Sequence, residues 1–166
     1  MFKQLAYEME LRGSADERSS IEMVGYSPEY QEAYKRVYNE CFHEMREALG
    51  IKPYDFIQDD SFFEKGMDRV RLLLDNGEIV GSVALKEDEI DDLIVAPGYQ
   101  DRGYGWQILL WALEHMDSER VVLHVAACNL KAIHLYGKAG FEKTRTIVIN
   151  ENRQRVRTSV LPGPGH

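Results

Sequence analysis

Apolar residues recur every three or four positions from Tyr30 through Ala33, Tyr34, Val37, Tyr38, Cys41, Phe42, Met45 and Leu49, then stop at Gly50. This spacing predicts one long amphipathic helix. Ser27-Pro28-Glu29 marks its start: serine suits a cap, proline fits the first turn, and an acid favours the positive end of the helix dipole. The period changes to two where Arg69–Leu74 and Glu78–Leu85 flank Asp75-Asn76-Gly77, which predicts a β-hairpin whose Asn-Gly supplies the positive φ angles of a type I′ turn. Strands are predicted at Glu89–Val95 and Arg120–Ala126. Helices are predicted at Gly103–Met116 and at Asn129–Lys138, the latter closed by Gly140. Two further strands, Lys143–Ile149 and Gln154–Leu161, are joined through Asn150-Glu151-Asn152. Near the start, Tyr7–Leu11 and Ile21–Tyr26 alternate and are expected to pair as a hairpin, and a short helix is expected near Asp60.

Strands, helices, a meander and two strand–helix units make an α/β (α+β) fold: a mixed, mostly antiparallel twisted sheet flanked by helices. The 166 residues suit a single domain, residues 1–166, with Leu161–His166 a loose Pro-Gly tail. No apolar run approaches the roughly 20 residues of a membrane span. The acid-bearing start MFKQLAYEMELRG lacks the apolar stretch of a signal peptide, so no membrane partner and a cytoplasmic location are expected. A formal net charge of −8 argues against nucleic acid, because phosphate neutralisation needs a basic face, and it favours a cationic partner such as an amine. The run from Arg145 to Arg157 reads as the solvated side of a strand. Cys41 and Cys128 stand far apart without a CxxC pattern, and His43, His115, His124 and His134 have no metal-ligand spacing. No metal site is expected, and the histidines default to surface or core roles. A homodimer is compatible with the chain.

The chemistry concentrates around Gln100-Asp101-Arg102-Gly103-Tyr104-Gly105, which follows a strand and precedes a helix. Glycines there serve either a tight junction or a loop that brings bare N–H groups to a phosphate. A dinucleotide fingerprint needs G-x-G-x-x-G with an acid about 20 residues on, and a Walker loop needs Gly-Lys-Ser/Thr; neither is present.

The sequence resembles the GNAT superfamily of acetyl-CoA-dependent N-acetyltransferases in two signatures. The first, Q/R-x-x-G-x-G/A, stands as Gln100 to Gly105 after Leu93-Ile94-Val95-Ala96-Pro97. The second, N-x-x-A-x-x-L-Y-x-x-x-G-F, runs from Asn129 through Ala132, Leu135 and Tyr136 to Gly140-Phe141. The resemblance covers about Val70 to Ile149. It implies acetyl-CoA as co-substrate, with its pyrophosphate on the amides of Asp101 to Trp106 (Asp101, Arg102, Gly103, Tyr104, Gly105, Trp106) and Arg102 adding charge. Leu93, Ile94 and Val95 would line the pantetheine arm, and Gln100, Asn129 and Tyr136 would also touch the cofactor. Tyr136 would protonate the departing thiolate.

Glu89 sits where several relatives carry a catalytic glutamate and ranks first as the base, with Asp91 second. In a regular strand Glu89, Asp91, Leu93 and Val95 share one face and Asp92 takes the other. Trp106 departs from the family pattern, which has a smaller residue there, and is expected to reshape the phosphate end. The implied activity is acetyl transfer to a primary amine, on a small molecule or on a protein or peptide, by direct attack. The competing reading is a noncatalytic acyl-CoA-binding or sensing module.

Overall fold

The computed structural model describes residues 3–150 and 160–161. Its strands form two four-stranded sheets, ordered β2-β3-β4-β5 and β7-β1-β6-β8. In chain order the elements are β1 (Lys3–Leu11), β2 (Val24–Gly25), α1 (Gln31–Leu49), β3 (Val70–Asp75), β4 (Glu78–Leu85), β5 (Ile90–Val95), α2 (Tyr104–His115), β6 (Val122–Ala126), α3 (Leu130–Ala139), β7 (Phe141–Asn150) and β8 (Val160–Leu161).

The expected β3–β4 hairpin is present, with Asn76 and Gly77 at φ 52 and 82. A 3-10 turn at Pro28–Tyr30 leads into α1, which ends where Gly50 adopts a left-handed conformation. The short helix near Asp60 is a 3-10 segment, Asp60–Glu64, capped by the Asp59 side chain.

Residues 7–11 and 21–26 do not form the expected hairpin. β1 lies between β6 and β7, antiparallel to both, while Val24–Gly25 pairs with β3. The polar segment between them folds over α2 instead of turning back: Ser19 N–H donates to Glu114 at 2.6 Å, and Ser20 N–H donates to the Gln107 side chain at 2.7 Å. The turn after Asn150, most of the strand expected from Gln154, and the tail beyond Leu161 lie outside the described residues. Val160–Leu161 pair in parallel with His124–Val125.

β4 is buried from Ile79 to Ala84 because helices cover both of its faces. On one side Tyr34, Val37, Tyr38 and Phe42 of α1 pack with Leu72, Ile79 and Ile94. On the other, Ile108, Leu109 and Ala112 of α2 pack with Val80, Val83 and Leu93. Gly81 permits that second contact: a Cβ there would stand 2.6 Å from Ile108 Cδ1 and 2.7 Å from the Ile94 carbonyl.

β5 departs from simple alternation. Ala84 faces Asp91 and Ser82 faces Ile94, so the register shifts between them, and Asp92 occupies the bulge at φ 48. As a result Ile90, Leu93 and Val95 all join the α2-side core, while Asp92 meets Tyr38 of α1. The expected sharing of a face by Asp91 and Leu93 is therefore wrong, because the extra residue reverses the alternation between them.

Candidate functional site

The two sheets touch at one end. Glu89 bridges Val122 in parallel, and Val122 N–H donates to the Asp88 carbonyl at 2.8 Å. Among the described residues no ladder joins β5 to β6 beyond that point. The gap faces the first signature at one end and the acid-rich segment Asp88–Asp92 at the other. The β6 edge at His124–Val125 is paired with β8, which also lies against β5, so Val160–Leu161 occupy the place between the walls that a strand-like ligand of β5 would take.

After β5 the chain makes a 3-10 turn at Pro97–Tyr99, then passes through Asp101 at φ 62 and Gly103 at φ 86 before α2 begins at Tyr104. Left-handed residues at a helix start turn successive N–H groups toward a common point, and the first N–H groups of any helix lack partners within it. This cradle suits a phosphate without needing a cationic side chain.

The side chains of the signature contribute differently. Gln100 donates to the Val95 carbonyl at 3.0 Å, and the Cys41 thiol donates to the same oxygen at 3.2 Å, so Gln100 closes the strand end. Arg102 lies over the Tyr99 ring at 5.7 Å. Asp101 pairs with Lys131 of α3 at 3.4 Å.

Trp106 lines this end. It forms one wall of a cavity of about 590 Å³ against Leu130, Lys131, His134 and Lys138 of α3. Lys138 Nζ stands 4.4 Å over its ring, and its indole N–H is buried with no hydrogen-bond partner among the described residues. An orphaned donor and a row of basic residues beside an apolar wall fit the nucleotide end of coenzyme A. Lys131, His134 and Lys138 follow i, i+3, i+7 spacing on one helix face. A second cavity, of about 400 Å³, opens between α1 and the ends of β5 and β6, lined by Glu40, Glu44, Met45, Pro97, Cys128 and Asn129.

Asn129 caps α3, its Oδ1 accepting the Ala132 N–H at 3.2 Å. Seven residues on, Tyr136 is 1% exposed and packs edge-on against Phe141. Burial, reinforced by the negative field of Asp91, pushes its phenol pKa far above the ordinary value. A tyrosine in that environment keeps its proton, which excludes it as a base; the same rise makes it a weak donor, so only a strongly basic partner such as a departing thiolate would draw the proton from it.

The carboxylates are not equivalent. Asp91 is 1% exposed and fully engaged: Oδ1 accepts the Asp92 N–H at 2.9 Å and Oδ2 accepts from Lys86. Burial raises its pKa and Lys86 opposes the rise. Burial pulls the Lys86 pKa down, but the hydrogen bond and charge of Asp91, together with the charges of Glu89 and Asp92, outweigh it and hold the ammonium charged. Asp92, with Tyr38 donating to it at 3.1 Å, is raised well above the carboxylate range by burial and then by Asp91. Glu89 sits at the vertex where the sheets meet and contacts His124 Nδ1 at 3.0 Å.

The structure thus brings Tyr136, Asp91 and Glu89 into one electrostatic neighbourhood and adds Asp92, Lys86, Tyr38 and His124. Asp92 falls on the face opposite Leu93, as alternation predicts, but no sequence signal marked the other three: Tyr38 reads as core, His124 as a strand residue and Lys86 as a polar residue after β4.

The sequence model of the acetyltransferase (GNAT) family matches residues 26–141. No curated protein matches the chain. Among solved structures, an acetyltransferase of that family from Colwellia psychrerythraea superposes with a TM-score of 0.69 at 14% identity, covering 89% of this chain and 55% of its own. Another from Novosphingobium aromaticivorans gives 0.65 at 16%, covering 89% and 63%. An acetyltransferase from Pyrococcus horikoshii gives 0.57 at 15%, covering 100% and 52%. These likenesses are likenesses of fold, and the chain spans between half and two thirds of the length of these structures.

Proposed function

We propose that this chain, which belongs to the GNAT acetyltransferase family, transfers an acetyl group from acetyl-CoA to the primary amine of a small molecule, peptide or protein by direct attack. The observation that carries the reading is the parting of β5 from β6, with a phosphate cradle after β5 at one end and the acid-rich segment Asp88–Asp92 at the other. Asp101 to Trp106 and the Trp106–Lys138 cavity hold the nucleotide end, and the edge of β5 at Leu93–Val95 lines the arm.

Acetyl-CoA supplies an acyl thioester. The amine forms a C–N bond as the C–S bond breaks, and an ammonium acceptor gives up two protons in all. Glu89 takes the first through water, at the vertex where solvent reaches it, and Tyr136 returns one to the departing sulfur while the other leaves to solvent. Asp91, locked by Lys86, orients the site more than it acts as base. The acidic chain favours cationic acceptors. The free thiols Cys41 and Cys128 suit the reducing cytoplasm.

Release of free CoA thiol from acetyl-CoA, followed across diamines, amino acids, aminoglycosides and lysine peptides, tests the reading. Amine-dependent release with at least one class supports it. Saturable binding of acetyl-CoA without release on any amine would instead establish the noncatalytic module.

A further inference from the structure

A row of charged side chains crosses three strands and ends at Glu89, just before β5. Arg145 on β7 faces Glu8 on β1, and Glu8 faces His124 on β6, by strand register. Arg145 donates to Glu8 Oε1 at 3.0 Å, His124 Nε2 meets the same oxygen at 3.2 Å, and His124 Nδ1 meets Glu89 Oε2 at 3.0 Å. Arg120 flanks the row, 3.8 Å from Glu8, 3.4 Å from Glu10 and 3.2 Å from Asp88. His124 is 8% exposed at its side chain, and Glu8 and Glu89 are each 14%. Burial pushes the Glu8 pKa up, but Arg145 and His124 outweigh it and hold the carboxyl below its ordinary range.

Two features make this more than a sheet ornament. A contact between a ring nitrogen and a carboxylate oxygen needs a proton between them, and a neutral imidazole has one ring proton for two such contacts. Two protons are therefore shared among Glu8, His124 and Glu89. Such an assembly stabilises a fold little, since apolar cross-strand pairs do as well without the desolvation cost. Furthermore, Glu89 precedes β5, and the ring that grips it comes from β6, the opposite wall of the gap. The grip fixes that carboxylate relative to both walls at the point where they part.

We propose that His124 is a positioning residue for the base, holding the Glu89 carboxylate at the vertex of the gap, with Glu8 and Arg145 fixing the ring from behind. This rests on the acetyltransferase reading and on Glu89 as its base. A double-mutant cycle tests it, with CoA release measured on an amine accepted by the unaltered protein. His124→Phe lowers kcat roughly 10- to 100-fold, the scale expected for a displaced reacting group, with the KM for acetyl-CoA unchanged. His124→Gln, which keeps one donor, recovers part of the loss. In a Glu89→Gln background His124→Phe has no further effect, because the group it positions is already gone.

Equal losses in both backgrounds, or a parallel rise in KM, would overturn the proposal and leave His124 as a staple between strands. If Glu89→Gln itself leaves kcat intact, the base assignment fails and the proposal fails with it. If acetyl-CoA neither binds nor turns over in a folded sample, the acetyltransferase reading is what fails.

Discussion

Replacing Asp92 with Asn removes an ionisable group from the bulge in β5 while keeping its shape. Asparagine tolerates the left-handed φ of 48, and its amide oxygen can still accept the Tyr38 hydroxyl that lies 3.1 Å from Asp92. What disappears is the charge. At 9% exposure, with Asp91 adjacent, Asp92 has a folded-state pKa well above its unfolded value, by burial first and by Asp91 second. A raised folded pKa means that the stability due to this group is fully present below the unfolded pKa, near 4, and is lost as pH rises through the folded pKa.

Within that window the unaltered protein loses about 1.4 kcal/mol per pH unit through this group, and the variant does not. The difference in unfolding free energy between Asp92→Asn and the unaltered protein therefore grows in the variant's favour by about that slope from pH 5 upward. Urea unfolding of both proteins at pH 5, 6 and 7 measures it, since the carboxylates remote from the bulge titrate alike in the pair and only the adjacent Asp91 shares the change. A difference that stays constant with pH would refute the reasoning and mean that Asp92 is ionised in the fold at little cost. A rising one would show that the chain keeps a costly carboxyl beside the gap, which is where perturbed groups tend to serve chemistry.

Two other substitutions separate the chemistry from the scaffold. Tyr136→Phe keeps the packing on Phe141 and removes the acid, so kcat falls roughly 10²- to 10⁴-fold while acetyl-CoA affinity by titration calorimetry stays within a few fold; equal turnover in the two proteins would remove Tyr136 from the mechanism. Gly81→Ala places a methyl 2.7 Å from the fixed Ile94 carbonyl and 2.6 Å from Ile108 Cδ1, costing roughly 1–3 kcal/mol by overpacking, visible as a lower midpoint in urea. An unchanged midpoint would mean that α2 can withdraw from β4.

What the sequence reveals of this fold is what is encoded locally. Asn76-Gly77 between alternating runs specifies the β3–β4 hairpin, Gly50 and Gly140 end their helices in left-handed conformations, and the glycine signature lands at the start of α2. The misplaced elements depended on distant partners. β1 alternates as well against β6 and β7 as it would have against Ile21–Tyr26, and only the assembled core selects between them.

The site divides the same way. Tyr136 and the loop stand in the two family signatures, whereas the face of Asp91 depended on a bulge set by β4, and the contacts of His124 depended on the register of three strands with Glu89. Asn129 and Gln100 show a further limit. A residue type that suits a ligand also suits a helix cap or a strand end, and in this fold both side chains make such contacts.

Titration calorimetry of the purified protein with acetyl-CoA tests the central claim most directly, because it needs no knowledge of the acceptor. The account predicts saturable binding at one site per chain, with free CoA competing for it. Absence of heat with either ligand, in a sample shown to be folded, would contradict it.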